Sequence, residues 1–353
     1  MIDQTKPPVF DGHNDVLTKL LRKGEPHPEH YFIDGDAGHI DLPRSRIGGF
    51  SGGFFAVWVS SPVDKAIRYE QMAKPSYDIE LPPAIEQGQA LKIVLSEAAS
   101  LLRLEQAGAL TICKTASQLR QTIETGQMAA IFHLEGAEAI DPEFAALDVF
   151  YAAGMRSLGP VWSRPTIFAH GVPFRYPSDP DTGDGLSDIG KDLIRACNAR
   201  KIMLDLSHIN EKGFWDVAAL TDAPLVATHS NAHAICPTAR NLTDRQLDAI
   251  RESDGMVGLN FAVAFLREDG QMSADTDLDI VLRHFDHLID RLGEDRVGFG
   301  SDFDGAIVPQ PIGDVTGLPV LRKAMRDHGY GEALMEKLCY TNWLRVLKKT
   351  WGA

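Results

Sequence analysis

The chain has 353 residues, 44% of them hydrophobic and 24% charged, with a formal net charge of -14. That is an ordinary globular composition, large enough to bury a substantial core. The negative field disfavours nucleic acid and anionic membrane surfaces as partners, since both recruit clustered Lys and Arg.

The opening MIDQTKPPVF has no basic stretch followed by an apolar one, so no secretory leader is expected. No apolar run approaches the ~20 residues that a membrane helix needs. Cys113, Cys197, Cys236 and Cys339 are scattered, with no C-x-x-C spacing. They read as reduced thiols, and a cytoplasmic protein is expected.

Taken in chain order, short apolar runs recur at Val9–Phe10, Phe54–Val59, Met128–Phe132, Ser157–Val161, Ile202–Leu206, Leu225–Thr228, Met256–Leu259 and Val297–Gly300. Helical patterns lie between most of them. The predicted helices are Ala84–Ala107, Asp141–Ala153, Asp188–Ala199, Asp244–Ser253, Asp277–Leu292 and Leu334–Leu347. Ser187 and Thr243 are placed as N-caps, and Gly108, Gly154 and Gly293 as stops. Strands that are apolar throughout, alternating with helices, indicate a parallel sheet covered on both sides. Eight such units predict an α/β fold of the (β/α)8 type, a single-domain barrel with long βα loops, over an open doubly wound sheet. The long loops are Ser60–Pro83 and Pro165–Gly185, rich in Pro and polar residues, and they would follow the second and fourth strands.

The chemistry collects where the strands stop. His13 and Asp15 follow the first, His133 and Glu135 the third, His208 the fifth, His229 the sixth, and Asp302 and Asp304 the eighth. Each has an ordinary explanation when taken alone: a turn, a helix-start acid, a satisfied loop histidine. In a parallel barrel, however, these ends converge on one face. Imidazole nitrogen and carboxylate oxygen without thiolate suit zinc, and a bridging carboxylate lets two cations sit close together. His133 reads as a neighbour of Glu135. His233, four residues after His229, reads first as a structural histidine, with orientation of His229 as the alternative.

The set DGHND (Asp11–Asp15), Glu135-Gly136, DLSH (Asp205–His208), THSN (Thr228–Asn231), Arg240-Asn241 and GSDFDG (Gly300–Gly305) resembles the membrane (renal) dipeptidase family of zinc metallopeptidases, within the amidohydrolase superfamily. The resemblance implies two Zn2+ per chain, with His13 and Asp15 on one, His208 and His229 on the other, and Glu135 bridging both. It implies hydrolysis of dipeptides, including L-Xaa-D-Xaa, by a metal-bridging hydroxide. Asp302 would carry the proton, Arg240 would clamp the substrate's free carboxylate, and the chain would form a homodimer. Asp304 would support the site from behind or shape the turn.

One departure stands out. Trp162 occupies the position where mammalian relatives carry a histidine after the fourth strand, and an indole N–H only donates. Two alternatives follow: His170, in the following loop, swings in, or the zinc alone polarises the carbonyl. Two other readings remain: an amidohydrolase acting on N-acyl amino acids, lactones or cyclic amides, and an idle metal-binding scaffold.

Overall fold

The computed structural model describes residues 6–36, 38–61 and 65–352. Three of the loop residues read above, 62–64, and the first five of the chain lie outside that description. Among the described residues the central sheet has nine strands, of which eight form the barrel, β1 (Val9–Asn14), β2 (Phe50–Trp58), β3 (Ala129–Glu135), β4 (Met155–Gly159), β5 (Met203–Leu204), β6 (Val226–Ala227), β7 (Met256–Leu259) and β8 (Val297–Phe299), while the short strand Thr111–Ile112 pairs with β3 beside them. The order of the eight is β5-β4-β3-β2-β1-β8-β7-β6, all parallel. A parallel bridge between Asp205 and Val226 joins the two ends and closes the barrel.

Every predicted strand is present, but β5 and β6 are shorter than expected. The cause is a side chain. Asp205 Oδ1 accepts the backbone N–H of both Ser207 and Thr228. A carboxylate therefore replaces ladder carbonyls at that seam.

The helices cover the outside because their apolar residues repeat at helical spacing. Helix Gln87–Gln106 buries Ala90, Val94, Ala98, Leu101 and Leu104 along one stripe. Asp188–Ala199 has the predicted bounds, and the Ser187 side chain accepts from Gly190 N. Thr243 and Gln246 form a reciprocal capping box ahead of Asp244–Glu252. The expected final helix is split into Glu332–Glu336, a π turn over Lys337–Thr341, and Asn342–Trp351. That turn seats buried Trp343, whose indole N–H donates to Phe299 O, and Asn342, which donates to Val297 O.

Inside the barrel, alternation along each strand builds layers. Phe10, Phe54, Ile131, Met203, Val226 and Met256 pack with Trp343 into an apolar floor. On β3 the next inward residues after Ile131 are His133 and then Glu135, following the period of two. The apolar floor thus gives way to polar layers toward the C-terminal face.

The two long loops are not structureless. Helix Lys65–Met72 and strand Tyr77–Ile79 lie in the first, and strand Phe174–Tyr176 lies in the second. The two strands pair antiparallel, Tyr77 opposite Tyr176 and Ile79 opposite Phe174. The ribbon is anchored to the segment after β7 by Tyr77 Oη donating to Gly270 O. Among the described residues no helix is long and apolar enough to cross a membrane.

Candidate metal centre

Five strand ends deliver the polar cluster. His13 lies in β1 and Asp15 follows it; Glu135 ends β3; His208, His229 and Asp302 stand in the turns after β5, β6 and β8. His13, Asp15, Glu135, His208, His229 and Asp302 all line one cavity. Asn14, between the first two, donates instead to Phe54 O of β2.

The two oxygens of Glu135 face different partners. Oε2 is 3.5 Å from His13 Nε2, which is itself 3.5 Å from Asp15 Oδ2. Oε1 is 3.2 Å from His208 Nε2 and 3.4 Å from His229 Nε2. Those two imidazole nitrogens are only 3.1 Å apart, and Glu135 Oε1 is buried and accepts no hydrogen bond. Three electron-rich atoms facing one another without a donor fit a cation between them. Glu135–His208–His229 and His13–Asp15–Asp302 each bring ligand atoms within 4.8 Å of one another.

The outer nitrogens of His229 and His208 are held as metal-ligating imidazoles require, whereas His13 Nδ1 is buried without a hydrogen-bond partner. Thr228 Oγ1 donates to Asp205 Oδ2 at 2.6 Å, which uses its only hydrogen. It must therefore accept from His229 Nδ1 at 2.8 Å, so His229 Nε2 carries the lone pair. His208 Nδ1 sits 2.9 Å from Ser163 Oγ. His233 takes the structural role and does not orient His229: its Nε2 bonds Ser178 O, and adjacent Thr228 holds His229 Nδ1 instead. His133 lies beneath, with Nδ1 on Ser157 Oγ and Nε2 3.4 Å from Asp205.

Electrostatics match the geometry. Burial, followed by nearby cationic groups (Arg240 for His208, His13 for His229), pushes both imidazoles well below their usual range and keeps them neutral. Burial lowers His13 too, but Glu135 and Asp15 outweigh it and hold it well above. Burial raises Glu135 to about 7, and burial with the Asp15 charge raises Asp302 to about 6. The acids resist ionisation chiefly because they are buried, a penalty that a bound cation would relieve.

Asp302 and His208 adopt φ of +57° and +68°. Such strain in residues other than glycine gathers at functional sites. Gly305 has a local reason: a Cβ there would fall 2.0 Å from Asp302 Oδ1 and 2.3 Å from Asp15 Oδ2.

The model of the membrane dipeptidase family, peptidase family M19, matches residues 4–351. The chain belongs to that family. A metallo peptidase from Rhodobacter sphaeroides, solved with a phosphinate mimic of the dipeptide L-Ala-D-Ala, is 58% identical with a TM-score of 0.96, covering 98% of this chain and 99% of that one. An uncharacterized protein in the pqqA 5' region of Klebsiella pneumoniae is 49% identical over 266 residues, 75% of this chain and 98% of its own. Dipeptidase tcpJ of Claviceps purpurea is 26% identical over 349 residues, 96% of this chain and 76% of its own.

Within this M19 chain the other expected residues fall in three places. Trp162 lines the cavity, its ring centroid 5.1 Å from that of Trp58, 5.5 Å from Phe174 and 5.8 Å from His208. Arg240 stands one layer behind the wall, with Nη1 on Ser230 Oγ and Nη2 on His229 O, while its buried Nε has no partner. His170 does not swing in. It lines a separate cleft with Glu80, Arg175 and Thr182, because Val172 N donates to His208 O and Asn210 N to His170 O, pinning this stretch against the turn after β5. Asp304 lines the cavity, and its Oδ1 accepts His39 N at 2.7 Å, tying the turn after β8 to a distant segment.

Sequence reasoning left several residues unassigned. Asn260, whose Nδ2 donates to Asp302 Oδ2, follows β7 directly, so the strand-end rule points to it. Asp11 accepts Ser301 N and Oγ beneath Asp302, and Asp205 fixes Thr228; both stood in the quoted motifs without a role. Arg68 and Trp58, also in the wall, had no local signal.

Proposed function

We propose that the chain is a di-zinc dipeptidase that hydrolyses L-Xaa-L-Xaa and L-Xaa-D-Xaa dipeptides. The observation that carries this reading is Glu135, whose two oxygens serve two separate sets of ligand atoms. His13 and Asp15 would hold one cation, His208 and His229 the other, with Glu135 shared. Bound there, two cations would polarise the scissile carbonyl and make a water molecule nucleophilic at neutral pH.

The chain's own residues supply the rest. Asp302 is the proton carrier: it takes the proton of the attacking water and delivers it to the leaving amine. Asn260 holds its Oδ2 at 3.0 Å, leaving Oδ1 for that exchange. Trp58, Trp162 and Phe174 keep bulk water from the reacting carbonyl. Arg240 remains the anchor for the free carboxylate, since its Nε lacks a protein partner. To grip a carboxylate with two donors it must release Ser230, so binding would reorder that contact.

That commitment of Arg240 to Ser230 and His229 favours one competing reading, an amidohydrolase for N-acyl amino acids, lactones or cyclic amides. A substrate panel separates the two. Metal-loaded protein is expected to cleave free dipeptides and to lose about tenfold or more on C-terminal amides, the scale of a lost charged hydrogen bond. Turnover of N-acetyl amino acids or lactones with no turnover of dipeptides would overturn the proposal.

A further inference from the structure

The cavity wall carries a cation that the reaction as described does not use. Arg68 sits on helix Lys65–Met72 of the first long loop and is only 8% exposed. Its guanidinium carbon lies 5.3 Å from the Trp162 ring centroid and 5.1 Å from that of Phe174, so aromatic faces support the planar group. Among the described residues no carboxylate lies at ion-pair distance from it; burial is the main influence on it, and the Tyr69 hydroxyl and the Asp302 charge offset only part of that. Arg22, the other cation in this wall, is exposed and donates to Ser60.

A guanidinium desolvated without a counter-ion costs free energy that a protein retains only where something offsets it. Cation–π support offsets part. A carboxylate arriving in the cavity offsets more, through two parallel N–H···O bonds in a water-poor site. Arg68 faces the same space as the candidate metal ligands, whereas Arg240 stands behind the wall with both terminal nitrogens engaged. Phe174 lies in the ribbon, which fixes it beside the first loop, and Trp162, just after β4, packs on it at 5.5 Å between ring centroids.

We propose that Arg68 binds a carboxylate of the substrate and so sets specificity at this site; the inference rests on the dipeptidase reading above. Two carboxylates are available in a dipeptide: the free C-terminal one and an acidic side chain. The test is to measure kcat/KM for native protein, R68M and R68K on neutral dipeptides (Ala-Ala, Ala-Leu) and acid-bearing ones (Ala-Asp, Ala-Glu, Asp-Ala), with L and D C-terminal residues. Metal content and Tm are recorded for each variant. R68M is expected to lose about tenfold or more. Loss confined to acid-bearing substrates assigns Arg68 to the side chain, with Arg240 keeping the free carboxylate, and equal loss on all assigns it to the free carboxylate in place of Arg240. R68K, which keeps the charge but not the fork or the stacking, should lose less, and it carries the test if R68M fails to fold. Rates within about twofold of native on every substrate, for a variant with native metal content, would overturn the proposal. Native protein inactive on all dipeptides would instead sink the dipeptidase reading, and this proposal with it.

Discussion

Thr228 decides which nitrogen of His229 faces the cluster. Its hydroxyl hydrogen is committed to Asp205, so it accepts from Nδ1 and leaves Nε2 basic. T228V removes that acceptor without changing size much. Its metal affinity is expected to fall about 10- to 100-fold, whereas T228S retains it, read by chelator competition. An unchanged affinity in T228V would show that the Asp205–Thr228–His229 chain is incidental. At this scale the sequence was most legible where chemistry follows a strand end. His13, Asp15, Glu135, His208, His229 and Asp302 were all found that way, and all line one cavity. His233 took its structural reading and not the alternative of orienting His229, since four residues on a turn do not bring side chains together as they do on a helix. Adjacency in the chain, Thr228 to His229, was the relevant relation. Arg68 was illegible because its partners, Trp162 and Phe174, are about a hundred residues away.

At the scale of elements, two buried carboxylates tie the loops to the barrel. Glu138 Oε1 accepts from Arg164 Nε and Nη2, and Arg164 Nη2 also reaches Val59 O. This fully buried contact binds the segments after β2, β3 and β4 around Trp58 and Trp162. R164M leaves Glu138 buried without its cation, a change that costs about 3–5 kcal/mol where one partner of a buried pair is removed. A marked fall in the urea midpoint is expected; an unchanged midpoint would show the pair to be dispensable. Glu97, on helix Gln87–Gln106, accepts Trp58 N at 2.7 Å and Thr18 Oγ1 at 2.9 Å, and burial raises its pKa to about 8. The folded state thus holds a proton that the unfolded chain, near 4.5, releases. The stability from that proton is fully present below about 4.5 and is lost as pH rises through about 8. E97Q, whose amide can satisfy both partners once the Thr18 hydroxyl rotates, should flatten the fall in stability between pH 5 and 8. A pH profile identical to native would contradict this. Element existence was legible because continuous apolar runs and caps are local. The split final helix and the loop ribbon were not, because Trp343 on Phe299 O and Tyr77 opposite Tyr176 are long-range choices.

At the scale of the whole molecule, closure of the sheet gives the cluster its meaning. Eight parallel strands bring five sequence-distant ends within reach of one another, over an apolar floor sealed by Trp343. Acids raised by burial, with His208 and His229 held neutral beside them, make a donor set that bound cations would stabilise. Removing metal with a chelator should therefore lower Tm, since a ligand that binds only the folded state stabilises it. The most direct test follows from the same preparation. Chelator-stripped protein is reloaded with zinc, its metal content is measured, and hydrolysis of L,L- and L,D-dipeptides is followed. The account predicts that activity returns with loading and saturates near two zinc ions per chain. Protein that holds two zinc ions and cleaves none of these dipeptides would contradict it.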